Sequence, residues 1–204
     1  MRRSFAQVLA AAGLLLALSA TFAYAQQPTR VRGTIERVDG PLLIVRSREG
    51  AEVTVRLADN AVVTGLVARS LADIKAGDYV GSAAVPAEGG ALRALEVHIF
   101  PESMRGTGEG HRPHDLLPES TMTNATVAET VARVEGHALT LKYQGGEKTL
   151  IVAANTPIVT YVPGDKSELK PGAKIFIVQA ARQPDGTLQA ARITVGRDGL
   201  TPPM

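Results

Sequence analysis

The chain has 204 residues, with 22 basic and 20 acidic side chains, four histidines, 4% aromatic residues, no tryptophan and no cysteine. The missing cysteine excludes disulfides, thiolate metal sites, iron–sulfur clusters and thiol catalysis, and the scarcity of rings argues against a stacking platform for carbohydrate or single-stranded nucleic acid. Two of the basic residues, Arg2 and Arg3, lie in a start segment that reads as removable, and 22 − 2 leaves 20 against 20, so the hint of an anionic partner disappears with them.

Arg2-Arg3 is followed by an apolar run from Val8 to Leu18 and by Ala23-Tyr24-Ala25, which together read as a signal peptide over residues 1–25 with an A-x-A cleavage site. The run is well short of the ~20 apolar residues that span a bilayer as a helix. Cleavage after Ala25 is expected, giving an exported, periplasmic chain with no membrane span. Arg2-Arg3-Ser4-Phe5 partly matches a twin-arginine signal, but no cofactor motif calls for folding before export, so the general secretory route is expected. Without disulfides such a chain must be stable through its core alone.

Residues 26–100 read as a first β-rich unit. In Glu52-Val-Thr-Val-Arg-Leu57 the apolar positions Val53, Val55 and Leu57 alternate with polar ones, as in a half-buried strand. At the end of the unit Leu95, Val97 and Ile99 alternate with Ala94, Glu96 and His98, which places His98 on a polar, solvent-facing side. Asp39-Gly40 and Glu49-Gly50 predict hairpin turns. Ser70-Leu-Ala-Asp73 predicts one capped helical turn, with Leu71 and Ile74 facing inward and Gly77 ending it.

Residues 101–126 form a central segment without clear periodicity, long for a connection in a compact protein and therefore either functional or disordered. Its apolar residues and three prolines, Pro101, Pro113 and Pro118, argue against disorder. The expected arrangement is a loop that docks between two barrels and presents His111, Arg112, His114 and Asp115 near the seam. His111 and His114, with Asp115 and Glu109 beside them, are the candidate metal ligands; imidazole with carboxylate would suit Zn, Cu or Ni. Pro113 makes any such site a loop site. Arg105 and Arg112 are the candidate interaction residues. Gly106-Thr-Gly-Glu-Gly110 lacks the spacing of a dinucleotide or nucleotide loop and reads as a flexible bend. Ser103 and Ser120 have no nucleophile-elbow context, so no catalytic residue is assigned.

Residues 127–204 repeat the first unit. Val31-Arg-Gly-Thr-Ile-Glu-Arg-Val-Asp-Gly40 matches Val127-Ala-Glu-Thr-Val-Ala-Arg-Val-Glu-Gly136 at an offset of 96, and Ile74-Lys-Ala-Gly77 matches Leu169-Lys-Pro-Gly172 after the loss of one residue. Ala191, Ile193 and Val195 repeat the closing strand, Glu135-Gly136 and Asp185-Gly186 the turns, and Ser167–Gly172 the helical turn. His137 follows a turn glycine and is expected in solvent. Each copy has the strand inventory of a five- or six-stranded, partly closed Greek-key barrel. The fold class expected is thus all-β, with two tandem OB-like barrels.

Gly33-Thr-Ile-Glu-Arg-Val-Asp-Gly40, Ser70–Asp78 and Gly90–Val97, with Val131–Gly136, Leu169–Gly172 and Gly186–Val195 in the second copy, resemble a bacterial exported domain of unknown function with a small OB-like β-barrel fold. Relatives of this layout often carry the label of a metal-transporter permease, which a chain with no span after Ala25 does not fit. The resemblance implies the fold and leaves activity open. The reading that follows is an exported, non-enzymatic binding or interaction module without a resident cofactor, whose partner is an envelope protein or a small ligand rather than nucleic acid. The alternative is a periplasmic metal-binding or metal-handling protein using the central histidines.

Overall fold

The computed structural model describes residues 29–133 and 136–203. The predicted signal peptide and Glu135 lie outside the described residues. Among these, thirteen strands form one continuous sheet: β1 (Thr29–Asp39), β2 (Leu42–Ser47), β3 (Glu52–Arg69), β4 (Tyr79–Pro86), β5 (Leu92–Ala94), β6 (Val97–Ile99), β7 (Gly110–Pro113), β8 (Thr121–Arg133), β9 (Gly136–Tyr143), β10 (Gly146–Ala153), β11 (Ile158–Pro163), β12 (Lys174–Arg182) and β13 (Leu188–Gly196). The helical content described is four three-residue 3-10 turns. The protein is therefore all-β, as its period-two patterning requires.

The sheet closes on itself. β1 pairs with β2 and β12, β2 with β3, β3 in parallel with β13, and β13 with β12, which makes a closed five-stranded barrel. A second ring of pairings runs from β4 to β5, in parallel to β10, then to β9, β8 and back to β4. Each ring takes three strands from one sequence unit and two from the other. The units 26–100 and 127–204 are consequently not two tandem barrels; their C-terminal strands are exchanged.

The cause is visible in β3. Its 18 residues extend to about 60 Å, roughly three times a common strand. Its first half pairs with β2, and its second half pairs antiparallel with β11, from Ile158 opposite Arg69 to Pro163 opposite Thr64. The strand therefore carries the chain out of the first barrel before the turn at Leu71–Asp73 redirects it. That turn has the expected capping box: the Ser70 backbone N–H donates to Asp73 Oδ2 at 2.7 Å. Its partner at Lys166–Glu168 is capped by Asp165, two residues earlier than Ser167 suggested.

The cores confirm the exchange residue by residue. Ile74, from the first unit, is buried among Leu139, Leu141, Leu150 and Val152 of the second barrel. Leu169, from the second unit, is buried with Val31, Ile35, Leu43 and Val55 of the first. Removing these side chains from water supplies roughly 1.5–3 kcal/mol each, so each barrel depends on apolar residues from both units.

The offset of 96 does not hold at the start of the repeat. Both opening hairpins carry a bulge, between Ile35 and Arg37 in β1 and between Val127 and Glu129 in β8. Superposing the bulges makes Ile35 the counterpart of Val127, an offset of 92. The burial agrees: Ile35 is 0% exposed, Val127 1%, and Val131, which the sequence match pairs with Ile35, 47%. The second hairpin is longer by two residue pairs, Ala132 with His137 and Arg133 with Gly136, and this extension absorbs the four-residue difference.

The pairings β3–β11, β11–β6 and β6–β4 join the two barrels. Leu66, Tyr79, Ala83, Val159 and Phe176 are buried outside the two barrel cores.

Candidate functional site

The central segment is not a loop laid between barrels. Glu102–Met104 forms a turn, β7 pairs with the start of β8 from Gly110 opposite Asn124 to Pro113 opposite Thr121, and residues 121–126 belong to β8 itself. Gly106, Gly108 and Gly110 have φ of 82°, 56° and 124°, a region closed to most side chains, so the glycine run makes the bend that lets the chain reverse. Asn124 Nδ2 and the Tyr79 hydroxyl both donate to the Thr107 carbonyl, at 2.9 and 3.2 Å. Asn124 is 5% exposed. Met122 is buried, while Leu117 stays 49% exposed.

The four candidate metal ligands do not converge. His111 Nδ1 lies 2.8 Å from Thr123 Oγ1 and its ring stacks on Tyr143 at 6.4 Å; burial first, then Lys148, lowers its pKa. His114 is three residues on, which in an extended hairpin places it on the opposite face. Glu109 accepts from the Gln144 backbone N–H at 2.8 Å. Asp115 Oδ1 is held by Arg30 Nη1 at 2.5 Å and Arg32 Nη2 at 2.9 Å. Among the described residues no group of three or more His, Asp or Glu side chains is arranged to hold a metal ion. The candidate interaction residues are exposed and make local contacts: Arg105 bonds Glu102 at 2.6 and 2.7 Å and the Gly77 carbonyl at 3.0 Å, and Arg112 bonds the Gly108 carbonyl at 2.7 Å. Ser120 donates to the Leu117 carbonyl at 2.7 Å and closes the hairpin loop; Ser103 is exposed.

What the segment does contribute is a latch. The Arg30–Asp115–Arg32 contact ties the β7–β8 loop to β1 of the first barrel. Burial pulls the Asp115 carboxyl upward, but hydrogen bonds from Arg30 and Arg32 outweigh it and hold the group well below the usual carboxylate range. His114 beside it has its pKa lowered by burial and by Arg30, against the opposing pull of Asp115 and Glu96. A depressed carboxyl pKa stabilises the fold above the unfolded value, near 3.9, and loses that contribution as pH falls through the folded value. Asp115→Asn is therefore expected to cost about 1 kcal/mol or less at neutral pH, since the carboxylate is half exposed. The gap between wild type and variant should narrow below about pH 4, as read by urea unfolding across that range.

The latch arginines also line a concavity. A cleft of about 550 Å³ opens at one end of the first barrel, bounded by Arg30 and Arg32 of β1, Glu52 of β3, Arg182 of β12, and the turn residues Glu49 and Asp185. Arg32 lies with its guanidinium 5.1 Å from the centre of the Phe176 ring, which pre-orients it. Its Nε is buried without a hydrogen-bond partner. None of these cleft residues stands out in sequence, because they come from three strands and two turns that only barrel closure assembles.

A second polar group is enclosed at the join between barrels. Glu96 and His98 are 0% and 1% exposed, against the expectation of a solvent-facing side for His98. His98 Nε2 contacts Glu96 Oε2. Glu96 Oε1 accepts from the Ala83 backbone N–H at 3.0 Å, and Ser82 Oγ donates to the Glu96 carbonyl at 2.6 Å. The His98 ring lies 5.3 Å from that of Tyr161, which stacks on Phe100 at 5.5 Å. Burial, then Glu96, pushes the Tyr161 phenol up. His137 is partly buried on β9 rather than in open solvent.

No protein-family model matches the chain, and comparison with curated proteins and with solved structures found no similar protein. No helix among the described residues is long and apolar enough to cross a membrane.

Proposed function

We propose that the chain is an exported, periplasmic, non-enzymatic binding module of the OB-like barrel type, and that it binds through the open mouth of its first barrel. The observation that carries this reading is the cleft of about 550 Å³, in which charged side chains of both signs from β1, β3, β12 and two turns meet at one end of a closed barrel. That size lies in the range of small-molecule sites. The barrel supplies a rigid rim and the turns supply the polar groups, the usual division of labour between scaffold and binding residues. The signal-like start and near-neutral mature charge support an envelope partner or small ligand over nucleic acid.

The test is capture from periplasmic extract on immobilised mature chain, with Arg182→Glu in parallel. Arg182 is exposed on β12, so the variant should keep its fold by circular dichroism while losing the specifically retained ligand. Equal retention by both forms would move the binding surface away from the cleft. N-terminal sequencing of the periplasmic protein should begin at Gln26, and a chain retained in the cytoplasm would remove the exported part of the reading.

A further inference from the structure

Resting on the binding role of the cleft, the latch identifies what the cleft takes. Arg30 and Arg32 direct Nη groups at a single oxygen, Oδ1 of Asp115, at 2.5 and 2.9 Å. Asp115 reaches them from the central segment, 83 residues along the chain from Arg32, and it is not one of the residues that bound the cleft. A carboxylate from outside the barrel thus pairs with two arginines that also line the cleft. Paired guanidinium groups recognise carboxylate and phosphate through short charge-assisted hydrogen bonds. Arg32 is the better prepared of the two: it is stacked over Phe176 and still has one buried donor, Nε, unspent.

The rest of the lining selects between those anions. Arg30, Arg32 and Arg182 are matched by Glu49, Glu52 and Asp185, three cations against three carboxylates. A phosphate or polyanion entering this cleft would meet three like charges, whereas a carboxylate accompanied by an amino group would satisfy both sides. The absence of any aromatic side chain from the cleft lining removes ring stacking as a source of affinity.

We propose that the mouth of the first barrel binds a small zwitterion with a free carboxylate, such as a short peptide, and that Asp115 is the internal counter-ion which this carboxylate displaces. Asp115 then sets the affinity, because the ligand must first replace a pair already made. Releasing it also frees the β7–β8 loop from β1, so ligand entry and loop release are one event.

The experiment is calorimetric titration of tri-alanine with free termini into the mature chain, Asp115→Asn and Arg32→Ala. Asp115→Asn keeps the side-chain shape and removes the competing charge, and should bind about tenfold more tightly than wild type, a difference of roughly 1.4 kcal/mol. Arg32→Ala and C-terminally amidated tri-alanine should each abolish binding. In wild type, the amide resonances of residues 114–116 should shift together with those of 29–32 on titration, a readout that needs no variant. Asp115→Asn binding no tighter than wild type, or tri-alanine shifting 29–32 without 114–116, would overturn the displacement. Failure of tri-alanine to bind even Asp115→Asn would overturn the ligand class, while retention of a periplasmic ligand through Arg182 would leave the cleft's binding role standing.

Discussion

Residues 29–100 and 101–203, produced as separate polypeptides, are each expected to lack a folded monomer and to regain the native spectrum when mixed. The first fragment holds β1, β2 and β3, but their barrel closes only through β12 and β13, more than 100 residues away from β3 in sequence. Its own β4, β5 and β6 pair with one another but cannot close a ring, because their further partners β8, β10 and β11 lie on the other fragment. In the intact chain the same topology couples the two cores. Leu43→Ala in the first barrel and Leu139→Ala in the second each remove a side chain that is 0% exposed and should cost about 2–5 kcal/mol. Both should lower one shared melting transition, read by calorimetry as equal calorimetric and van't Hoff enthalpies. A folded monomeric fragment 29–100, or two separable transitions, would mean that each unit closes on its own strands.

Glu96→Ala is expected to cost about 3–5 kcal/mol, the largest effect of any polar substitution in the protein. It leaves His98 buried without its carboxylate and orphans the Ala83 backbone N–H, which has Glu96 Oε1 as its acceptor. Glu96→Gln retains an oxygen for that N–H and should cost clearly less. His98→Ala strands the carboxylate instead, and the double variant Glu96→Ala/His98→Ala should cost less than the sum of the singles, because the second deletion removes a group the first had already left unpaired. Chemical denaturation of the four proteins at neutral pH decides it. Additive losses would show that the two side chains do not act as a pair.

These two results separate what the residues announce from what they conceal. Period-two alternation located the first part of β3 and the closing strands of both units, and Ser70-Leu-Ala-Asp73 marked its turn with the correct cap. The same alternation drew a solvent-facing side through Glu96 and His98, because it distinguishes two faces of a strand without saying what covers each. Ala94 and Val97 are buried in the second barrel's core, and the break between β5 and β6 turns Glu96 and His98 toward the join. A similar break, between Ala190 and Arg192 in β13, buries Ala190 and exposes Ala191, opposite to the simple alternation. The internal repeat was legible as similarity, but a repeat carries no information on which copy's strands pair with which. The central histidines drew notice as metal-binding residue types, whereas the Arg30–Asp115–Arg32 contact joins residues 83 or more apart in sequence and leaves no local signature.

The exchange of strands also fixes when the protein can fold. The parallel pairing of β13 with β3 brings Leu188 opposite Val55, so the first barrel cannot close until nearly the whole polypeptide has been synthesised. The second ring needs β10, past the middle of the chain. Such non-local topology folds slowly, since loop closure must precede the contacts that reward it. A nascent chain with this order of strands stays open while it is being made, the state in which a polypeptide can still be threaded through a narrow translocation channel. The strand order of this chain thus ties closure of each barrel to strands made in the second half of its synthesis.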